Sequence, residues 1–444
     1  MNISKEIGHY VCNTSYNELS KEVVEQAKRC IIDWFGVAIG GSREAVTKIL
    51  IDYVEMIGGN PQATIIGSGL KTNVINAALV NGAMSHVLDY DDTHEASLVH
   101  PSSPLVPSIL AVAELKKATG KDLITAYVLG YNVEVNIGAA IQPYTINNGW
   151  HPTSVFGRLG AAAGVGKIMK LQEKEIAHAL GIAATQSAGL RKVFGSMCKP
   201  FHPGKAAADG ILSCLLANNG FTSSDYIFEG DIGFLGIFSA KHLSSKTLKI
   251  DFNLTFEINN NCFKPYAACL LTHPIIEAGC MIRKKINNKT NNIKNIICQV
   301  SPLAMNAAGI VSPKTGLEGK FSLYYCIALS LLKGNANQSQ FTDDQVNSAQ
   351  VKYIMNKVDI KSNPNLGITE AYVDVLINDG TVYEQKVNKP KGYPDNPMTD
   401  KEIKHKFTDL AAPYMGTDKA NLLLRTLEKL EKIKDVSKIM EICA

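Results

Sequence analysis

Residues 157–169, GRLGAAAGVGKIM, and 178–190, HALGIAATQSAGL, have apolar or small side chains on nearly every helical face. A helix that is apolar all round is buried on all sides. Gly and Ala let neighbouring backbones approach closely, and interrupting charges and shortness rule out a membrane span. These two stretches therefore predict helices in the middle of a large bundle.

The same small-residue character extends outward. Segments 73–88, 103–116, 121–141, 154–170, 173–190 and 205–219 all read as helices with Ala, Gly and Ser on their apolar faces. Toward the N-terminus, LSKEVVEQAKRCIIDWFGVAIGG (19–41) places Val23, Ala27, Cys30, Ile31, Trp34 and Val37 at helical spacing before a Gly pair. SREAVTKILIDYVEMIGG (42–59) repeats the pattern and again stops at glycines.

After about residue 260 the character changes. NNIKNIICQV (291–300) and VKYIMNKVDI (351–360) are rich in β-branched residues. AYVDVLINDGTVYEQKV (371–387) alternates around Asn378-Asp379-Gly380, a hairpin signal. FSLYYCIALSLLKG (321–334) has helical length, and RKKINNKTNNIKN (283–295) reads as a solvated loop. Thr399 and Glu402 form a capping box, and 417–442 reads as one long terminal helix. The expected fold is mainly α: a large all-helical domain of residues 1–262 plus 396–444, with an inserted smaller α+β lid domain of residues 263–395.

The 444 residues are 45% hydrophobic and 19% charged, enough apolar surface for a sizeable core. A formal charge of +4 is too small for a chain that coats nucleic acid or an anionic membrane, so neither is expected as a partner. Ten scattered cysteines without a C-x-x-C pair suit a reducing compartment. With no signal-like N-terminus and no apolar run of spanning length, a cytoplasmic location is expected.

Chemistry concentrates in HVLDYDDTHEASLVHPSS (86–103). If the preceding helix continues through Asp92, Asp89 and Thr93 share a face with His86, while Asp91 turns away. Proline then leaves His100 on a loop near the helix end. Asp91 and Asp92 also have a plain reading as a helix-terminal turn with Asx hydrogen bonds. Asp89, Asp91, Asp92, His94 and His100 are acceptable metal ligands, but their spacing matches no metal motif, so no metal is expected. GLRKVFGSMCKPFHPGK (189–205) offers Arg191, Lys192, Lys199, His202 and Lys205 as a carboxylate or phosphate cradle, or else a basic surface loop. His151 precedes a helix, and Lys264, Cys269 and His273 lie at the junction between the expected domains, with His273 read as structural.

In order along the chain, HVLDYDDTH…HPSSP, HPTSVFGRLGAAA, GLRKVFGSMCKPFHPGKAAADG, KPYAACLLTH and KFSLYYCIALSLLKG resemble the MmgE/PrpD family. The resemblance implies a helical domain with a lid, a homodimer, and catalysis without metal or organic cofactor. It implies a small di- or tricarboxylate substrate, such as 2-methylcitrate or cis-aconitate, that loses water or CO2. An epimerase or isomerase of an iminodisuccinate-like dicarboxylate is the alternative. The implied pocket comprises Asp89, Thr93, His100, His151, Lys199 and Lys264, with Tyr325 from the FSLYYC helix. Five residues after Lys264, where the decarboxylase and dehydratase branch carries a histidine, this chain has Cys269.

Those reactions pass through an enediolate-like state, so cations must meet growing negative charge. Lys199, Lys264 and His151 are expected to do so, His100 to carry the proton, Asp89 to orient His100 or a lysine, and Thr93 to hydrogen-bond substrate. His202, Cys269 and Tyr325 are expected substrate contacts. A metal-dependent hydrolase and a non-catalytic carboxylate-binding protein are the competing readings.

Overall fold

The computed structural model describes residues 2–239, 252, 256–287 and 290–444. Helix Pro152–Met169 is the centre of the bundle, with every residue buried except Lys167 and Met169. Helices Ser102–Lys116, Gly120–Ile141, Glu173–Ala184 and Cys198–Asn218 pack around it. Helices Lys21–Gly41 and Val74–His86 form the next layer, and helix Asp400–Met415 returns to lie on Lys21–Gly41.

Glycine permits a close helix crossing here. A Cβ on Gly82 would lie 2.7 Å from the Gly204 Cα, so helices Val74–His86 and Cys198–Asn218 meet backbone to backbone.

Beyond residue 264 a four-stranded sheet runs in the order Val358–Ser362, Ile293–Val300, Ala371–Ile377, Val382–Val387. The first pair is parallel and the others antiparallel. Helices His273–Lys285 and Leu323–Lys333 pack together, and His273–Lys285 covers the sheet. The apolar side chains gather into two main clusters. One is drawn from residues before 264 and after 397. The other comes from residues 267–387 with Val37, Val46, Ala83, Val87, Leu88, Tyr90 and Leu410. The segment 86–92 thus runs along the seam between them.

Several boundaries differ from expectation. The helix expected at 205 begins at Cys198 and keeps Pro203 inside. The helix expected over 173–190 stops at Ala184. VKYIM is helical, part of Ala349–Met355, and only Val358–Ser362 is strand. Arg283 is no solvated loop residue: it lies in the last turn of helix His273–Lys285 and donates to the carbonyls of Leu331 and Leu332. The terminal helix is three pieces, Thr417–Leu427, Leu430–Lys432 and Ser437–Cys443. The Ile433 carbonyl accepts from Gly120 N–H at 2.8 Å and Val436 N–H donates to Ala118 at 3.0 Å, bonds that a continuous helix could not make. Among the described residues no helix is long and apolar enough to cross a membrane.

Candidate active site

The site is built on a turn. Asn73 caps helix Val74–His86, which ends at His86 rather than running through Asp92. Asp89 adopts φ 48°, a left-handed conformation that Asp tolerates better than most residues. Its N–H donates to the His86 carbonyl at 3.0 Å. The reversal sends Asp91 inward and leads into a two-residue strand, Thr93–His94, paired with Asn261–Cys262.

The Gly82–Gly204 crossing delivers Lys199 to this turn. Its Nζ lies 3.0 Å from Asp89 Oδ2 and 2.8 Å from His86 Nε2, with the Phe194 and Phe321 rings 5.3 and 5.0 Å away. From the other side Lys264 Nζ meets Asp89 Oδ1 at 2.5 Å and its carbonyl at 2.9 Å. Asp89 is therefore a carboxylate shared by two ammonium groups. Burial pushes its carboxyl up, but Lys199 and Lys264 outweigh that and hold it well below the usual range. Burial lowers Lys264 and Asp89 more than reverses it, leaving the amine raised.

An ammonium has no lone pair, so His86 Nε2 accepts from Lys199 and the His86 proton sits on Nδ1. That N–H donates to Asp91 Oδ2 at 2.7 Å. The same oxygen lies 3.2 Å from His100 Nδ1 and accepts from the Ser103 hydroxyl at 2.5 Å. Burial would raise Asp91; the two imidazoles hold it well below its ordinary value. Burial pulls His100 down to about 3 against the opposing pull of Asp91, and it lowers His86 likewise. With Nδ1–H committed to Asp91, His100 keeps a lone pair on Nε2, the atom a general base uses.

His86, Asp91 and His100 are also the cluster of described residues whose donor atoms, all within 4.8 Å of one another, could hold a metal. Two ligands on a tetrahedral zinc lie about 3.3 Å apart. The 2.7 Å between His86 and Asp91 is instead hydrogen-bond spacing, and a metal would have to replace the N–H to carboxylate bonds. The other chemically acceptable ligands disperse: Asp92 accepts from Ser102, while His94 meets Ser97 and Glu257.

A cavity of about 50 Å³ opens beside these groups, lined by Asp89, Thr93, His100, His151, Lys199 and Cys269, with Phe194 and Phe321 among its apolar walls. Thr93 Oγ1 is 3.5 Å from His100 Nδ1. His151 stands just before helix Pro152–Met169, with no side-chain capping bond, and meets His202 Nδ1 to Nδ1 at 2.9 Å. Burial, then Lys199, keeps His151 well below its usual pKa, and burial brings His202 to about 4. Cys269 has its thiol raised by burial and then by Asp89. A larger concavity of about 790 Å³ lies elsewhere, around Lys116–Asp122 and Gly166–Gln172, where Lys167 is spent on the Val11 and Cys12 carbonyls.

Three expected contacts do not line the cavity. Lys264 sits behind Asp89, His202 lies behind His151, and Tyr325 donates its hydroxyl to the Gln340 carbonyl at 2.5 Å beside Phe341. The five-cation cradle also resolves differently. Only Lys199 reaches the cavity; Lys205 pairs with Asp209, which also takes Arg158 Nε, and Lys192 is exposed. His273 is buried with Nε2 at 3.2 Å from the Ala268 carbonyl. The sequence reading missed Asp91 as the group that holds His86 and His100. It assumed helical continuation, which aims Asp91 outward; the dense HVLDYDD run was the available signal.

The chain matches the MmgE/PrpD N-terminal domain over residues 5–245 and the MmgE/PrpD C-terminal domain over residues 266–432. Relatives include the cis-aconitate decarboxylase of Aspergillus terreus, 27% identical over 99% of this chain and 95% of that protein. The Homo sapiens cis-aconitate decarboxylase is 27% identical over 94% and 90%. That of Mus musculus is 26% identical over 95% and 89%. With both domain matches in order and near-complete coverage, this chain belongs to the MmgE/PrpD family.

Proposed function

We propose that the chain is a lyase acting on a small tricarboxylate, removing CO2 or water next to a carboxylate group. The observation that carries this reading is the meeting, at one cavity, of the Lys199 ammonium held by Asp89 and the His100 imidazole held by Asp91. Lys199 meets a substrate carboxylate and the negative charge that grows as the adjacent bond breaks, a role worth about 3–4 kcal/mol for one well-aimed donor. Lys264, behind Asp89, keeps that carboxylate ionised. In dehydration His100 Nε2 takes the proton from carbon, the neighbouring C–O bond breaks, and the departing hydroxide takes that proton from the imidazolium to leave as water. In decarboxylation a trianionic substrate raises the His100 pKa, and the ring returns a proton to the carbon that lost CO2.

A space of about 50 Å³ holds only a few water molecules. In this proposal residues 263–395, which supply Cys269 and Phe321, act as a lid that moves against the bundle to admit substrate. A homodimer in the cytoplasm completes the proposal. A second reading, epimerisation of a related dicarboxylate, is favoured by the thiol of Cys269 at the cavity wall.

Incubation with cis-aconitate, 2-methylcitrate and iminodisuccinate in heavy water, followed by mass spectrometry, separates the two. The lyase reading expects product lighter by CO2 or water from a tricarboxylate. Deuterium incorporated without that loss would leave the epimerase.

A further inference from the structure

Two buried lysines that never reach the cavity end at the turn that builds it. Lys320 Nζ donates to the Leu88 carbonyl at 2.6 Å and Lys406 Nζ to the Tyr90 carbonyl at 2.7 Å. Between them Lys264 Nζ donates to the Asp89 carbonyl at 2.9 Å. Three consecutive carbonyls thus each take a lysine Nζ, from three distant parts of the chain. All three lysines are at most 5% exposed.

Burying a lysine amine is costly, and burial pulls Lys320 down to about 7, so this arrangement is not a neutral way to satisfy a backbone. Lys406 has Asp33 as a partner at 2.8 Å and stands 4.0 Å over the Tyr90 ring. The acceptors of Lys320 are all neutral: besides Leu88 they are the Ala267 carbonyl at 2.7 Å and Gln338 Oε1 at 2.8 Å. A left-handed turn leaves carbonyls that neither helix nor ladder satisfies. Here they are fixed by lysine amines from both sides of the seam between the two apolar clusters.

We infer that Lys320 and Lys406 are positioning residues: with Lys264 they clamp the Leu88–Tyr90 turn, and so aim the Asp89 carboxylate at Lys199. The kinetic part of this inference rests on the lyase reading; the geometric part does not. Lys320→Met removes the amine donor while keeping an unbranched side chain of similar size. Per folded enzyme, kcat on the tricarboxylate should fall by about tenfold or more with KM within about threefold, because aim matters most where charge develops. Gln338→Leu removes an acceptor of the same lysine without touching the turn and should leave kcat within about twofold. In a crystal structure of Lys320→Met, Asp89 should leave its left-handed conformation and lose at least one lysine contact.

Wild-type kcat in Lys320→Met, equal losses in Gln338→Leu, or an unchanged Asp89 turn would overturn the clamp. If the native protein turns over no tricarboxylate, the lyase reading fails and the crystal structure alone decides the clamp. If Lys320→Met does not fold, Asp33→Asn combined with Lys406→Met carries the same two expectations.

Discussion

Replacing Asp89 with Asn probes the charge balance of the site most sharply. Asp89 is 3% exposed, and its partners Lys199 and Lys264 are 4% and 0% exposed. Two opposite charges about 3 Å apart attract by roughly 5–6 kcal/mol at an effective dielectric of 20. Desolvation offsets much of that, but removing one member of a buried pair costs about 3–5 kcal/mol because the other charge is stranded. Asn keeps a single acceptor oxygen and turns an N–H group toward the second ammonium. At about 2.1 cal/mol/K per residue, 444 residues give an unfolding entropy near 0.9 kcal/mol/K. The loss then corresponds to a Tm lower by about 3–6 °C at pH 7.

The pH dependence has a definite sign. In the native protein the Lys264 pKa is raised, so its contribution is present below the unfolded value and lost as pH rises through the folded one. Without Asp89, burial dominates and the folded pKa drops below the unfolded value, so the unfolded state binds the extra proton and stability climbs with pH. Scanning calorimetry should therefore show the deficit of Asp89→Asn shrinking between pH 7 and pH 9.5. An unchanged Tm at pH 7, or a deficit that widens at high pH, would refute the shared-carboxylate account.

Other perturbations follow from the same geometry. His100→Gln should lower kcat by about 10²–10⁴ with little change in KM, read by steady-state product formation; a loss below tenfold removes His100 as proton carrier. His273, buried with a pKa brought down to about 3 by burial and then by Lys264, is neutral when folded. Unfolding lets it take a proton below about pH 6.5, so it costs stability as pH falls from there toward 3. His273→Leu should accordingly shift the acid-unfolding midpoint, followed by tryptophan fluorescence, to lower pH. Gly82→Ala should cost about 1–3 kcal/mol in denaturant unfolding and reduce activity, since it forces apart the crossing that brings Lys199 to His86.

The bundle was legible because all-round apolarity is a property of composition. Helix Pro152–Met169, the Thr399–Glu402 box and the Asn378-Asp379-Gly380 hairpin each rest on local chemistry that the fold keeps. The terminal helix was misread because its break is imposed by hydrogen bonds from residues 118–120, some 300 positions away. Lys199, Asp89, His100 and His151 could be singled out because each sits among unusual neighbours for a buried segment. Asp91 could not, because one left-handed residue at Asp89 inverts its direction. Lys320 and Lys406 gave no signal: a lone lysine near a helix start or on an amphipathic face reads as solvated until tertiary structure buries it.

The most direct test of the central claim is a crystal structure with a tricarboxylate bound. One carboxylate should lie within roughly 3.2 Å of Lys199 Nζ. The carbon next to it should face His100 Nε2 at about 3–3.5 Å. A ligand lodged in the groove around Lys116–Gln172, or one that leaves Lys199 and His100 untouched, would contradict it.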